Sequence, residues 1–221
     1  MNPRRGSAWI VVLTAGLISP FGLDADSGSI ASTSAHSSTT VEVSGGTVTF
    51  EVGTNVSAIN VHGRSTNLRG RALIRETADS FTVERLDATL AVNTISTGMG
   101  LRDEHMRRYI FETGDGQTPD LAVTGGSTDC AAPGGGKESI CTVSGQLTIR
   151  GTSRPFVMTL KARRTGDEYQ VAGSGTVRLS TYGIAPPSQF GVTTSDEVQL
   201  RVELTATLVE GPGSARNEGS R

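Results

Sequence analysis

An excess of charge of either sign is missing from this 221-residue chain: 20 lysines and arginines stand against 22 aspartates and glutamates, a net charge of −2. A general nucleic-acid binder or a polybasic membrane-surface protein carries a basic excess, so neither class fits. Cysteine is nearly absent too. Two cysteines exclude a dense disulfide framework, and neither has a His or a second Cys at ligand spacing, so no metal site is expected. Aromatic residues make up only 5% of the chain, yet 35% hydrophobic residues are enough for one core. A chain of this size buries about 70% of its unfolded surface and needs no metal to fold.

Catalytic motifs are also missing. There is no Gly-x-Ser-x-Gly elbow, no His-Glu-x-x-His and no Gly-x-Gly-x-x-Gly, and Gly134-Gly135-Gly136-Lys137 runs into Glu138 rather than the Ser or Thr of a phosphate loop. The three histidines, His36, His62 and His105, leave few options. Asp103 and His105 lie two apart on a helical stretch and share no face, so a polar face or cap around Asp103 is the preferred reading over a base-assisted site. No cofactor is expected.

Ala8 to Ile18 is an uncharged apolar run too short to cross a bilayer. Behind Arg4 and Arg5 it reads as the core of a secretory signal, residues 1–25, with cleavage after Ala25 or as late as Ala31 or Ala35. The alternative is an uncleaved anchor, against which Gly16, Ser19, Pro20 and Gly22 argue. The mature chain then has no stable membrane span, and its destination is the periplasm or the outside of the cell. Residues 26–38 are a Ser/Thr-rich lead and 211–221 a polar tail, which leaves 39–210 as the domain. An exported chain meets an oxidising compartment, so a Cys130–Cys141 disulfide is expected, closing a hairpin tip around a Gly-rich insertion; the alternative is two free thiols.

Within the domain the dominant pattern has period two, the mark of strands with one buried face. Val48, Phe50 and Val52 share a face; so do Leu86, Ala88, Leu90 and Val92; Val143, Leu147 and Ile149; Phe156, Met158, Leu160 and Ala162; Val171, Val177 and Leu179; and the run from Val198 to Leu208. Gly-rich turns separate them. The class is therefore all-β, and an extended antiparallel barrel of about eight strands is favoured because closure hides edge strands. One stretch, Gly100 to Phe111, places Leu101, His105 or Met106, and Tyr109 or Ile110 at helical spacing and predicts a short lid helix.

The segments TGMGLRDEHMRRYIFETGDGQTPDLAV from Thr97, VSGQLTIRGTSRPFVMTL from Val143 and LSTYGIAPPSQFGVTTSDEVQLRVELTA from Leu179 resemble the YceI-like family of periplasmic polyisoprenoid-binding proteins. The resemblance spans Val41 to Ala206. It implies a lipocalin-like barrel whose interior holds an amphiphilic isoprenoid chain, with no catalytic activity as a family trait. The chain departs from the family pattern at Gly53-Thr54, at Tyr109-Ile110-Phe111, at Thr118-Pro119 and in the Cys130–Cys141 insertion.

An apolar tunnel would be lined by Phe50, Val52, Leu90, Val92, Phe156, Met158 and Leu160, with Met99, Leu101, Met106, Ile110 and Phe111 closing its mouth. Tyr182, Arg102 and Arg108 are candidates for orienting a polar head at the rim. These apolar side chains otherwise simply fill the barrel, and the arginines are otherwise a solvated face. The expected function is carriage of a polyisoprenoid or quinone-like lipid; the alternatives are a lipid-directed barrel hydrolase or isomerase, and a structural secreted β-domain without ligand. No apolar stripe on an outer face is long enough to argue for a second copy.

Overall fold

Period-two alternation becomes a ring of antiparallel strands in the computed structural model, which describes residues 38–77, 80–113, 120–126, 128–131 and 138–209. The signal, most of the lead, the tail and the Gly-rich insertion lie outside the described residues. The strands are β1 (Ser38–Thr54), β2 (Val61–Ser65), β3 (Leu68–Glu76), β4 (Ser80–Leu90), β5 (Leu121–Gly125), β6 (Thr128–Ala131), β7 (Ser139–Ile149), β8 (Thr152–Thr165), β9 (Glu168–Arg178), β10 (Ser188–Gln189) and β11 (Val192–Val209). Pairing runs β11-β9-β8-β7-β5-β4-β3-β1, and β1 returns to β11 from Thr40↔Val209 to Thr54↔Thr194. That return closes an eight-strand barrel and removes the open edges.

Two of the wall strands are interrupted. β2 and β3 pair with β1 in one continuous register, Val48↔Ser65 and Glu42↔Arg71, so they are one line broken at residues 66–67. On its other side β1 carries an irregularity against β11 between Val43 and Gly45. β5 and β6 likewise share one register on β4. Cys130 on β6 and Cys141 on β7 are joined by a disulfide with a Cα–Cα distance of 5.3 Å. Replacing both by serine should lower stability by about 3 kcal/mol, as expected for releasing so short a loop, and chemical denaturation under oxidising conditions checks it.

Leu86, Ala88 and Leu90 stay on one strand face as expected, but Val92 does not continue it. β4 ends at Leu90 and Val92 opens a 3-10 turn at Val92–Thr94 that carries its side chain, fully buried, into the end of the barrel. A helix α1 (Gly100–His105) follows and widens into a π-turn at Met106–Ile110. Its buried stripe is not the Leu101-led one that the apolar spacing suggests. Asp103 and Met106 face inward with Ile110 half-buried, whereas Leu101 is exposed, because Asp103 satisfies donors of the preceding turn.

Candidate functional site

Inside the ring, burial falls toward the middle of several strands. On β8, Phe156 and Ala162 are buried while Met158 and Leu160 between them keep intermediate exposure. On β9, Tyr169 and Val177 are buried, with Val171, Gly173 and Gly175 intermediate. β4 repeats this with Leu86 and Ala88 between Val83 and Leu90, and β7 with Gly145 between Val143 and Leu147. On β11, Leu200 and Leu204 alternate with buried Val198, Val202 and Ala206. An inward apolar side chain that keeps accessible surface inside a closed barrel borders space. The ends are fully buried and the waist only partly, Val202 on β11 excepted.

Two glycines on β9 let neighbouring side chains close over the waist. A Cβ on Gly173 would stand 2.7 Å from Leu160 Cδ2 and Val202 Cγ1 and 2.9 Å from Met158 Sδ, and one on Gly175 would stand 2.9 Å from Phe156 Cζ. These glycines sit in register with Val171 and Val177, so any side chain there would point inward and push its neighbours into the lumen.

The expected lining residues fall into three groups. Phe50, Met158 and Leu160 are half-buried along the inner wall. Val52, Leu90, Val92, Met106, Phe111, Phe156 and Tyr182 pack together as the plug at the helix end, with Ile110 against them. Met99, just before the helix, and Leu101, on its outer side, are exposed rather than in its closing face. Tyr182 belongs to the plug and not to the rim; burial raises its pKa. Arg102 reaches Met99 Sδ and Arg108 pairs with Glu104 at 3.0 Å on the solvent side of the helix. Neither arginine points at the waist residues, so the structure does not bring a head-group clamp and the apolar lining together.

A carboxylate holds the helix in place. Asp103, only 6% exposed, accepts hydrogen bonds from Thr97 N–H at 2.7 Å, Thr97 Oγ1 at 2.5 Å and Ser96 Oγ at 2.9 Å. Burial opposes its charge, but these bonds and the nearby Arg107 outweigh that and hold its pKa below the ordinary carboxylate value. Residue 96 in turn pairs with Arg64 of β2 through two backbone bonds of 2.9 Å, so Asp103 links the helix to the barrel wall, beside the packing of Met106 and Phe111. His105 turns elsewhere, to Gln189 at 3.3 Å and edge-on to Tyr109. Asp103 and His105 form no pair.

The opposite end is closed differently. Tyr169 Oη donates to Glu76 at 3.2 Å, Arg164 pairs with the same carboxylate, and the guanidinium lies 5.4 Å from the Tyr169 ring. Burial and the adjacent Glu76 push the Tyr169 pKa up to about 12. Sequence reasoning missed this cluster because its members come from three separate strands. A groove of about 610 Å³ lies outside the wall beside His62, Arg64 and Arg201; its Glu51 sits 4.0 Å from His62 and 3.8 Å from Arg201. Among the described residues no group of His, Cys, Asp and Glu is arranged to hold a metal.

The model of the YceI-like domain matches residues 34–206. The chain belongs to the YceI-like family. Solved structures agree on the YceI-like fold: BcnA of Burkholderia cenocepacia is 16% identical with a TM-score of 0.56, over 73% of this chain and 96% of that one. A polyisoprenoid-binding domain from Saccharophagus degradans, implicated in plant cell wall breakdown, is 15% identical at 0.56, over 76% and 98%. The YCEI protein of Campylobacter jejuni is 19% identical at 0.52, over 69% and 87%. At these identities the likeness establishes the barrel and nothing finer. No curated protein matches the chain.

Proposed function

We propose that this YceI-like barrel binds and carries, without chemical turnover, a long apolar amphiphile whose chain occupies the waist. The observation that carries this reading is the run of half-buried, inward apolar positions between two plugged ends, from Met158 and Leu160 across Gly173 to Leu200 and Leu204. Family membership and the polyisoprenoid-binding relative point the same way. Such a lining recognises hydrocarbon without a directional head-group contact. The helix end is the side that opens, because its plug hangs on a segment tied to the wall by Asp103, whereas the far end is closed by continuous strands and the Glu76–Arg164–Tyr169 cluster. The apolar run at residues 8–18 fits delivery to the periplasm or beyond, where free lipid needs a carrier.

Affinity should then follow chain length. Each buried CH₂ contributes about 0.8 kcal/mol, so one further isoprene unit tightens binding by roughly a hundredfold before ordering costs, until the waist is full. Titration of isoprenoid alcohols of increasing length checks this. Affinities flat with length contradict the proposal, and saturable turnover of a lipid ester would replace it with the enzyme reading.

A further inference from the structure

Six of the large apolar side chains that stay exposed among the described residues, Val56, Ile59, Met99, Leu101, Tyr109 and Phe190, belong to three segments at the helix end of the barrel. The segments touch. Asn55 Nδ2 donates to Gly191 O at 3.1 Å, the Thr193 N–H donates to Asn55 Oδ1 at 2.9 Å, and His105 meets Gln189 at 3.3 Å. Around them charge disappears: residues 52–61, 88–101 and 179–195 contain no Asp, Glu, Lys or Arg. The helix that follows is basic at its surface, with Arg102 and Arg108 against Glu104, since Asp103 is turned inward and Arg107 reaches back to Asn93 O at 3.4 Å.

Phe190 is the sharpest feature. It is 95% exposed and occupies, with Gly191, the two-residue turn between Gln189 and Val192, at φ of 51° and 78°. Both left-handed, these angles define a turn that favours Asn-Gly, Asp-Gly or Gly-Gly. A bulky apolar residue there is conformationally disfavoured and gains nothing from packing within the chain.

We propose that this end of the barrel docks on the surface of a phospholipid bilayer, with Phe190 and Leu101 entering the acyl boundary and Arg102 and Arg108 over the lipid phosphates. An apolar tip ringed by uncharged backbone and flanked by guanidinium groups matches the layering of a bilayer interface. The proposal rests on the carrier reading for its purpose, since the docked end is the one whose helix would open to admit lipid.

The test uses the exported protein after removal of residues 1–25, which takes away the single tryptophan, Trp9, and the apolar run at 8–18, with an indole placed either at the tip by Phe190→Trp or on the outer wall by Val157→Trp. Vesicles of phosphatidylethanolamine and phosphatidylglycerol with brominated acyl chains are the probe. The tip indole should shift to the blue and lose at least about half its emission, while the wall indole stays unchanged. Docking is overturned if the tip indole matches the wall indole, if both are quenched alike, or if the tip shifts with protein concentration in the absence of vesicles. Quenching at the tip in a protein that takes up no lipid leaves docking standing and removes the carrier reading; lipid uptake without quenching does the reverse.

Discussion

Gly173→Val should reduce lipid binding at least about tenfold while the barrel still folds. The added side chain enters a position where Leu160, Val202 and Met158 already approach within 2.9 Å of the missing Cβ. Leu160 Cδ2 and Met158 Sδ lie at the ends of flexible side chains and should yield inward, into the volume proposed for the ligand, whereas the branched Val202 is stiff. The overpacking should cost about 1–3 kcal/mol, less than the stability of a typical domain. Ser174→Val, on the outer face of the same strand, is the control and should leave binding unchanged. Equilibrium titration with a fixed isoprenoid alcohol, alongside thermal unfolding of both variants, separates lost space from lost fold. Unchanged affinity in a folded Gly173→Val protein would place the ligand elsewhere.

The second large effect is expected at the helix. Asp103→Ala removes a buried acceptor and leaves the Thr97 N–H and two hydroxyls without it, which should weaken the helix docking by about 2–4 kcal/mol. Amide hydrogen exchange across residues 100–110 should accelerate about 30-fold or more, with β8 and β9 little changed. The same carboxylate predicts a pH dependence. Its pKa lies lower in the folded protein than its ordinary value of 3.8, so its contribution is complete at neutral pH and is lost as pH falls through the folded pKa. Acid should therefore release the helix in the native protein, and Asp103→Ala should abolish that part of the pH response. An acid response identical in the two proteins would remove Asp103 from the role of tether.

Much of the wall is legible in the sequence because one face of each strand is buried and the other wet. The alternation from Phe156 to Ala162 predicts β8, and the alternation from Val198 to Leu208 predicts most of β11. What alternation does not carry is position along the barrel axis. Phe156 and Met158 are equally apolar and two residues apart, yet one seals the helix end and the other borders the waist; only the closed register of eight strands distinguishes them. The glycines on β9 hold the clearest signal that went unread, since Gly173 and Gly175 fall on the inward register between Val171 and Val177. The helix shows the opposite difficulty. Apolar spacing favours Leu101 as a buried residue, but the donors at Ser96 and Thr97 draw Asp103 inside and rotate Leu101 into solvent. Phe190 is likewise ordinary in the sequence and becomes conspicuous only when the turn around it is known.

Occupancy of the waist is the central claim, and native mass spectrometry of the protein purified from a bacterial host, followed by organic extraction of the same sample, tests it most directly. The account predicts a stoichiometric apolar adduct that the solvent releases, or one that forms on incubation with isoprenoids long enough to span the waist. A protein that stays at its bare polypeptide mass through both steps would contradict it.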